Sequence, residues 1–313
     1  SGIPQDAAAI LTDKALMKEA FLKGGVSAST GMRTYSLEEA KAAAERIGYP
    51  VVVKRVDSSG SRGITVVEQP ERMEEAYRHA AKRSTRDYVL VEGFIKGTEI
   101  GVDGFVQDGQ LVFMAPHTKF VYKGKNTTIP VGHAFPYQCS QEVYDEIGKQ
   151  MQAAVTASGA DRCSVNADVF VDGNKVSIIE MGGRTGATCI PELISIYYGF
   201  DFYEKMLRSA LGETVEFNCA GKQPCMAKLL LSPVEGKISH IDIEGIHRLE
   251  EKGVVVSLDF PVGHKVFAMA DGTDRIGHII ARTEEESQLD AWMMEAYRCI
   301  FIDGVSLEDI WKR

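Results

Sequence analysis

A regular alternation of apolar and polar positions between Ser164 and Gly182 predicts a β-hairpin. Apolar residues recur at every second position on both sides of the triplet Asp-Gly-Asn at 172–174, a sequence that favours a tight turn. Asp168 and Glu180 then fall at nearly opposite positions of the two strands. Two such carboxylates can offer oxygens to one hard cation, although a hairpin with two solvated acids fits this segment equally well.

The N-terminal part alternates between helical and strand patterns. Residues 13–23 and 36–47 are predicted helices, and the second begins with a capping box of Ser36 and Glu39 and ends at Gly48. Short strands are expected at 50–54 and 64–67, and a polar helix at about 71–83. These elements indicate a small α+β unit over 1–87.

Strand patterns dominate the next part, from residue 88. The runs YVLVEGFI, EIGVDGFV and LVFMAPH are separated by turn residues and predict a largely antiparallel sheet. A helix at 141–158, capped by Ser140, precedes the hairpin. Helices at about 189–197 and 201–211, the latter ending at Gly212, close a second lobe over 88–213.

The remaining residues, 214–313, predict a third compact α+β unit. Strands are expected in AKLLLSP, GKISHID and KVFAMADG, and a helix at about 284–297. The predicted fold class is therefore α+β, with two lobes followed by a small C-terminal domain.

Composition excludes several function classes. The 313 residues carry a formal net charge of −9 with a pI near 5.4, and no Lys/Arg run exceeds two residues, which argues against a nucleic-acid partner. No apolar run approaches the roughly 18 residues of a membrane span. Six cysteines without a CxxC spacing favour reduced thiols, so we expect a cytoplasmic protein that does not bind membranes.

Two further segments are candidates for binding a nucleotide. Lys54 ends an apolar strand, and the Gly/Ser loop at 58–63 follows it and could cover phosphates with backbone N–H groups; a plain hairpin turn is the alternative. Glu92 and Glu99 flank a strand end that could hold an adenosine, or could be solvated acids of an edge strand. The seven histidines show no paired spacing, and each is expected to be structural, as is the Cys189 thiol.

Six elements follow one another over about 12–212: Asp13-Lys14, PVVVK, SSGSRG, VEGFIKGTE, NADVF and IEMGGR. In this order they resemble the ATP-grasp superfamily of carboxylate–amine ligases. The IEMGGRTGATCIPELI run is most similar to the L-amino-acid ligase branch. The resemblance implies an ATP-grasp fold in which two lobes clasp ATP.

The resemblance also implies the site residues and cofactors. It implies ATP with Mg²⁺, or Mn²⁺ in its place, bound to Asp168 and Glu180 as metal ligands. Arg184 and Lys54 are the implied catalytic residues, where charge develops on the transferred phosphoryl group, and Lys119 is a further candidate. The implied nucleotide-binding residues are Lys14, Lys54, Ser59, Gly60, Ser61, Gly63, Glu92, Phe94, Ile95 and Glu99.

Two departures from the family pattern stand out. Gly182 replaces an Asn that many members use as a third metal ligand two residues after the second acid. Only twelve residues precede Asp13, where family members usually have a whole domain, so we expect that the chain was trimmed or that a partner supplies those contacts. A homodimer through exposed strand edges of the C-terminal part is also compatible with the pattern.

The implied activity is ATP-dependent formation of an amide bond from a small-molecule carboxylate and amine, through an acyl phosphate with release of ADP and phosphate. Amino acids are the expected substrates. Two alternatives remain: a ligase that activates bicarbonate, and a nucleotide-binding lobe of a larger assembly that is inactive alone.

Overall fold

The computed structural model describes residues 2–57, 63–82, 84–123 and 128–312. The helices in these residues are α1 (Gln5–Thr12), α2 (Lys14–Lys23), α3 (Leu37–Ile47), α4 (Met73–Ala81), α5 (Gln141–Ser158), α6 (Ile190–Tyr198), α7 (Phe202–Ala210), α8 (Ile243–Glu250), α9 (Leu289–Arg298) and α10 (Leu307–Trp311). The strands are β1 (Gly31–Thr34), β2 (Val51–Lys54), β3 (Ile64–Val67), β4 (Val89–Gly93), β5 (Thr98–Gln107), β6 (Gln110–Lys123), β7 (Thr128–Phe135), β8 (Cys163–Asp172), β9 (Lys175–Gly182), β10 (Cys225–Leu230), β11 (Gly236–Ile241), β12 (Val254–Leu258), β13 (Lys265–Val266), β14 (Gly277–Arg282), β15 (Ile300–Ile302) and β16 (Val305–Ser306).

The chain forms two compact units. The first unit comprises 1–116, 138–185 and 204–216, and the second comprises 117–137, 186–203 and 217–313. The division predicted at 87/88 and 213/214 differs from this one and stays a prediction.

One sheet of the first unit has the order β1-β4-β2-β3, with antiparallel pairing throughout. Helices α3 and α4 cover it, because alanines on one side of each helix allow close packing on the valines of β2 and β4. Lys54, at the end of β2, and Glu92, on β4, are buried in this sheet although both are charged.

The other sheet of the first unit contains β5, β8 and β9, paired antiparallel in that order. Helix α5 packs against β9; it begins at Ser140, whose hydroxyl accepts the Val143 N–H, and ends at Gly159 with φ +70°. Because side chains alternate across a strand, the valines of β8 are buried on one face and Asp168 lies on the opposite face.

The second unit has its own core. One sheet runs β12-β14-β10-β7 and continues to the 117–123 part of β6, and a smaller sheet has the order β13-β11-β15-β16. Apolar residues of α8, α9 and α10 fill the space against these strands.

Several sequence predictions are confirmed. Helices α2, α3 and α5, strands β2 and β3, the β8–β9 hairpin and the α+β class all agree with the structure. The predicted KVFAMADG strand is wrong, because only Lys265–Val266 pairs with a neighbour. The predicted helix at 284–297 begins as a short 3₁₀ turn and is α-helical only from Leu289.

The sequence also predicts reduced cysteines and no membrane-spanning segment. All six cysteines are free thiols. The helices of this part of the chain are all too short or too polar to traverse a lipid bilayer.

Candidate active site

The hairpin of β8 and β9 brings Asp168 and Glu180 directly opposite each other. Their Cα atoms are register partners, and a β-bulge follows at once between Asp168 and Val169. The turn places Gly173 at φ +57°, in the left-handed region that glycine tolerates. The prediction that these two acids are cross-strand neighbours is confirmed.

The neighbouring strand β5 extends this polar face. Glu99, Gly101 and Asp103 pair with Phe170, Asp168 and Asn166 of β8, in that order, and paired residues share a face of the sheet. Gly101 contributes no side chain beside Asp168. The predicted nucleotide-binding residue Glu99 and the predicted metal ligands therefore lie on one surface.

Lys14 reaches this surface from the first turn of α2. Asp13 caps the helix by accepting the N–H groups of Ala15 and Leu16 at 3.0 and 3.1 Å, and it also accepts the Tyr88 hydroxyl at 2.5 Å. With the helix start fixed in this way, the Lys14 Nζ lies 2.7 Å from Glu180 Oε2.

Glu92 lies between two buried lysines. Its carboxylate pairs with the Lys54 Nζ through one oxygen, and with the Lys18 Nζ at 2.9 Å through the other. The Ser29 hydroxyl also donates to Glu92, at 3.1 Å. Only 2% of the Glu92 side chain is exposed, so this carboxylate, predicted to bind the nucleotide, is held inside the unit by two cations.

The pKa values in this cluster follow from one carboxylate being shared by two lysines. Burial alone would raise the pKa of Glu92, but the charges of Lys54 and Lys18 lower it to about 2. Burial alone would lower the pKa of Lys54, but the carboxylates of Glu92 and Glu180 raise it above its usual value. The pKa of Lys18 is lowered, because burial outweighs its share of Glu92.

Arg184 follows the bend Gly182-Gly183 after β9. Its guanidinium donates to the Thr185 carbonyl at 2.8 Å and is otherwise exposed. A Cβ at Gly183 would lie 2.1 Å from the end of the Ile3 side chain, so a larger residue here would require that side chain to move. The bend carries Arg184 beyond the end of the strand that bears Glu180.

A cavity of about 140 Å³ lies beside the polar face. Phe94, Ile95 and Lys96 form one side, and Phe170, Asp172, Lys175 and Ser177 form the other. Phe94 and Ile95 were predicted to bind the nucleotide. Phe170 was not, although its spacing of two from Asp168 on one strand places both on the same face.

Only the end of the predicted phosphate loop, at Gly63, lies within the described residues. Ser59, Gly60 and Ser61 lie outside the described residues. At the base of the loop, the Gly63 carbonyl accepts the Arg55 N–H at 2.9 Å, and Gly63 has φ +72°. Burial would raise the pKa of Asp57, but hydrogen bonds from Thr85 and Arg55 lower it.

The described residues contain no group of three or more His, Cys, Asp or Glu side chains placed to hold a metal ion. Asp168 and Glu180 would offer a hard cation two carboxylates, and the cation would need further oxygens from an amide, water or a phosphate. The donor set suits Mg²⁺ bound together with a nucleotide, since Mg²⁺ is commonly held by one or two carboxylates and substrate phosphates.

The second unit brings together two histidines that the sequence spacing did not pair. The rings of His117 and His133 meet edge to face with centroids 4.7 Å apart, and Lys119 is the register partner of His133. Burial, His117 and Lys119 lower the pKa of His133 well below its usual value. Burial raises the pKa of the Cys189 thiol to about 11, in keeping with a packed side chain.

The family comparisons point to one domain type. Residues 47–192 match the sequence model of a family described as "ATP-grasp domain". A D-alanine–D-alanine ligase from Trichlorobacter lovleyi is 26% identical over 220 residues, which are 69% of this chain and 70% of that protein.

Solved structures with this fold cover nearly the whole chain. Phosphoribosylglycinamide synthetase from Anaerococcus prevotii superposes with a TM-score of 0.77 at 27% identity, over 96% of this chain and 76% of that one. The L-amino acid ligase from Bacillus licheniformis has a TM-score of 0.79 at 20% identity, over 96% of this chain and 74% of its own. Biotin carboxylase from Campylobacter jejuni has the same TM-score and identity, over 99% of this chain and 71% of its own. At 20% identity, these last two show the fold alone.

These findings confirm the expected ATP-grasp fold. Residues 47–192 therefore form an ATP-grasp domain, and the relatives of this chain include ligases that use this domain.

Proposed function

We propose that this protein uses ATP to join a small-molecule carboxylate to an amine, with amino acids as substrates. The observation that carries the proposal is the meeting of two acids with two lysines. Glu180 contacts Lys14 at 2.7 Å, and Glu180 and Asp168 lie close enough to Lys54 to raise its pKa. Alternating charges of this kind suit a site that receives an anionic phosphate chain together with a cation.

The proposed reaction has two steps. An oxygen of the substrate carboxylate attacks the γ-phosphorus of ATP, the bond to ADP breaks, and an acyl phosphate forms. The amine nitrogen then attacks the acyl carbon, phosphate leaves, and the nitrogen loses a proton to give an amide.

The side chains act mainly by neutralising charge and by orienting the substrates. Lys14 and Lys54 would bind phosphate oxygens, and Arg184 would stabilise the charge on the transferred group from beyond the end of β9. A bound Mg²⁺, or Mn²⁺, would be held by Asp168 and Glu180 and would neutralise charge on the phosphates. Ser59–Ser61 are proposed to cover the phosphates, as the sequence predicts.

We place the adenine in the cavity between Ile95 and Phe170. Phe170→Ala should weaken ADP binding by about tenfold, because stacking of a base on an aromatic ring contributes about 1–3 kcal/mol. Isothermal titration calorimetry with ADP measures this. Tyr144→Ala, which removes a partly exposed aromatic side chain of α5, is the control and should leave ADP affinity unchanged.

The substrate class is tested by ADP release from MgATP with pooled amino acids. We expect release to depend on an amino acid, and we expect added hydroxylamine to trap a hydroxamate, since it intercepts acyl phosphates. ADP release that depends on bicarbonate and on no amino acid would replace this proposal with bicarbonate activation. ATP binding without ADP release in any amino-acid pool would favour the alternative that this chain is a nucleotide-binding lobe that is inactive without a partner.

A further inference from the structure

Asn166 lies directly beside the paired acids on the polar face. It is the register partner of Gly182, two residues along each strand from the Asp168–Glu180 pair. Residues two apart on a strand share a face and lie about 7 Å apart, and cross-strand partners lie about 5 Å apart. The Asn166 side chain is therefore within reach of a cation held between Asp168 and Glu180.

The orientation of this amide is fixed from the other side. Asn166 Nδ2 donates to Asp103 Oδ2 at 2.7 Å, and the Asp103 side chain is completely buried on the neighbouring strand. The amide nitrogen of Asn166 donates this hydrogen bond and is therefore the atom that faces Asp103. The carboxamide oxygen then points away from Asp103, and no hydrogen bond to it is found within the described ranges.

Asp103 is also connected to the bend that carries Arg184. The Thr185 hydroxyl donates to Asp103 Oδ1 at 3.4 Å, so one buried carboxylate contacts both Asn166 and the residue after Arg184. Asp103 therefore couples the position of the amide to that of the bend.

The proposed cation site needs more oxygen ligands than its two carboxylates provide, and Asn166 could supply one of them. Mg²⁺ takes six oxygen ligands, and carboxylate and amide oxygens are both suitable donors. The polar face offers two carboxylates, while Gly182 contributes no side chain. Asn166 is the amide next to these acids on the same face.

We propose that the carboxamide oxygen of Asn166 is a third protein ligand of the cation bound by Asp168 and Glu180, and that Asp103 is its positioning residue. The assignment rests on the proposed metal site, so its test must separate the failure of one from the failure of the other.

The ligand role of Asn166 can be tested by placing an amide side chain at Gly182, on the opposite strand of the hairpin. A Cβ built at Gly182 would meet only the Arg184 side chain, at 3.6 Å or more, which is ordinary contact. Gly182 is also absent from the glycines with positive φ. A side chain at this position is therefore tolerated, and Gly182→Asn places a carboxamide opposite position 166.

The measurement is Mn²⁺ binding by electron paramagnetic resonance in the presence of a non-hydrolysable ATP analogue. We expect Asn166→Ala to weaken Mn²⁺ binding by about tenfold or more. Even the loss of a group that only hydrogen-bonds to a metal ligand typically lowers metal affinity by about 10–100-fold. The double variant Asn166→Ala/Gly182→Asn should recover most of this loss. Asn174→Ala removes an exposed amide at the turn of the same hairpin, where it bonds Glu142, and should bind Mn²⁺ like wild type.

Glu180→Ala separates the two levels of the proposal. If Glu180→Ala loses Mn²⁺ binding and Asn166→Ala does not, the metal site stands and the role of Asn166 is overturned. If neither variant loses binding, the proposed metal site itself is wrong. A loss in Asn166→Ala that Gly182→Asn does not recover would come from the disturbed Asp103 contact and would also overturn the ligand role.

A second substitution keeps the test decisive if the alanine variant does not fold. Asn166→Asp retains an oxygen at the same position and should bind Mn²⁺ more tightly than Asn166→Leu, which has similar bulk and no oxygen. Equal Mn²⁺ affinities of these two variants would overturn the proposal.

Discussion

Replacing Glu180 by alanine should abolish ADP formation from MgATP, with a loss of at least about a hundredfold in kcat. The variant would lose one of the two carboxylates of the proposed metal site and the partner of Lys14. Without the cation, negative charge on the transferred phosphoryl group would be poorly neutralised in the transition state. Coupled-enzyme detection of ADP, in the presence of the amino-acid pool that supports turnover, measures the effect.

The fold of this variant should be intact. Glu180 is 31% exposed and Lys14 is 12% exposed, so water reaches part of this ion pair, and its removal should cost less unfolding free energy than the about 3–5 kcal/mol typical of a fully buried pair. Glu74→Ala, which removes an exposed acid of α4 paired with Arg78, is the control and should retain full turnover. Unchanged turnover in Glu180→Ala would remove Glu180 from the metal site.

Replacing Glu92 by alanine should lower the free energy of unfolding by about 3–5 kcal/mol, because it leaves two buried lysines without their shared carboxylate. The Lys54 and Lys18 side chains are only 7% and 2% exposed, so water cannot replace Glu92. Urea unfolding followed by circular dichroism measures the change. Glu19→Ala, which breaks a pair between Arg33 and the 56% exposed Glu19, should cost about 1 kcal/mol or less.

The same variant should change how stability depends on pH. The pKa of Glu92 is lowered from 4.5 to about 2 in the folded chain. A lowered pKa means that the ionised carboxylate contributes stability above about pH 4.5, and that this contribution is lost as the pH falls through about 2. Wild type should therefore lose stability over that interval, and Glu92→Ala should lose less. Equal slopes for the two proteins would show that the lysines do not lower the pKa of Glu92.

The sequence was sufficient to predict the hairpin and its two acids. Alternation of period two fixes which residues share a face, and the Asp-Gly-Asn triplet fixes where the strands turn, so the pairing of Asp168 with Glu180 follows from local pattern. Lys54 was predictable for a similar reason, since it ends a short apolar strand that proves to be buried.

The rest of the site depends on contacts between distant segments. Lys18 lies one helical turn after Lys14, but only the packing of α2 beside β4 shows that it reaches Glu92. Phe170 and Asn166 were within the predicted hairpin, yet their roles depend on the pairing of β8 with β5 and on the loop after β4. Local periodicity does not encode which strand becomes the third neighbour.

Strand β7 was missed for a different reason. Its sequence, TIPVGHAF, contains Pro130 and Gly132, which weaken any strand pattern. A Cβ at Gly132 would lie 2.4 Å from the Ala227 carbonyl, so the glycine allows β10 to approach closely. The pairing of β7 with β6 also explains why His133 meets His117 although no sequence spacing links them.

The contact between Lys14 and Glu180 bears on the order in which ligands bind. Lys14 lies 2.7 Å from a carboxylate oxygen of Glu180 that the proposed metal ion would also use. A phosphate chain that takes over the charge of Lys14 frees this oxygen, so the nucleotide should strengthen metal binding, and by thermodynamic reciprocity the metal should strengthen nucleotide binding to the same degree. Because the ion pair competes with a free divalent cation for this oxygen, we expect the site to favour the preformed metal–nucleotide complex over the free cation.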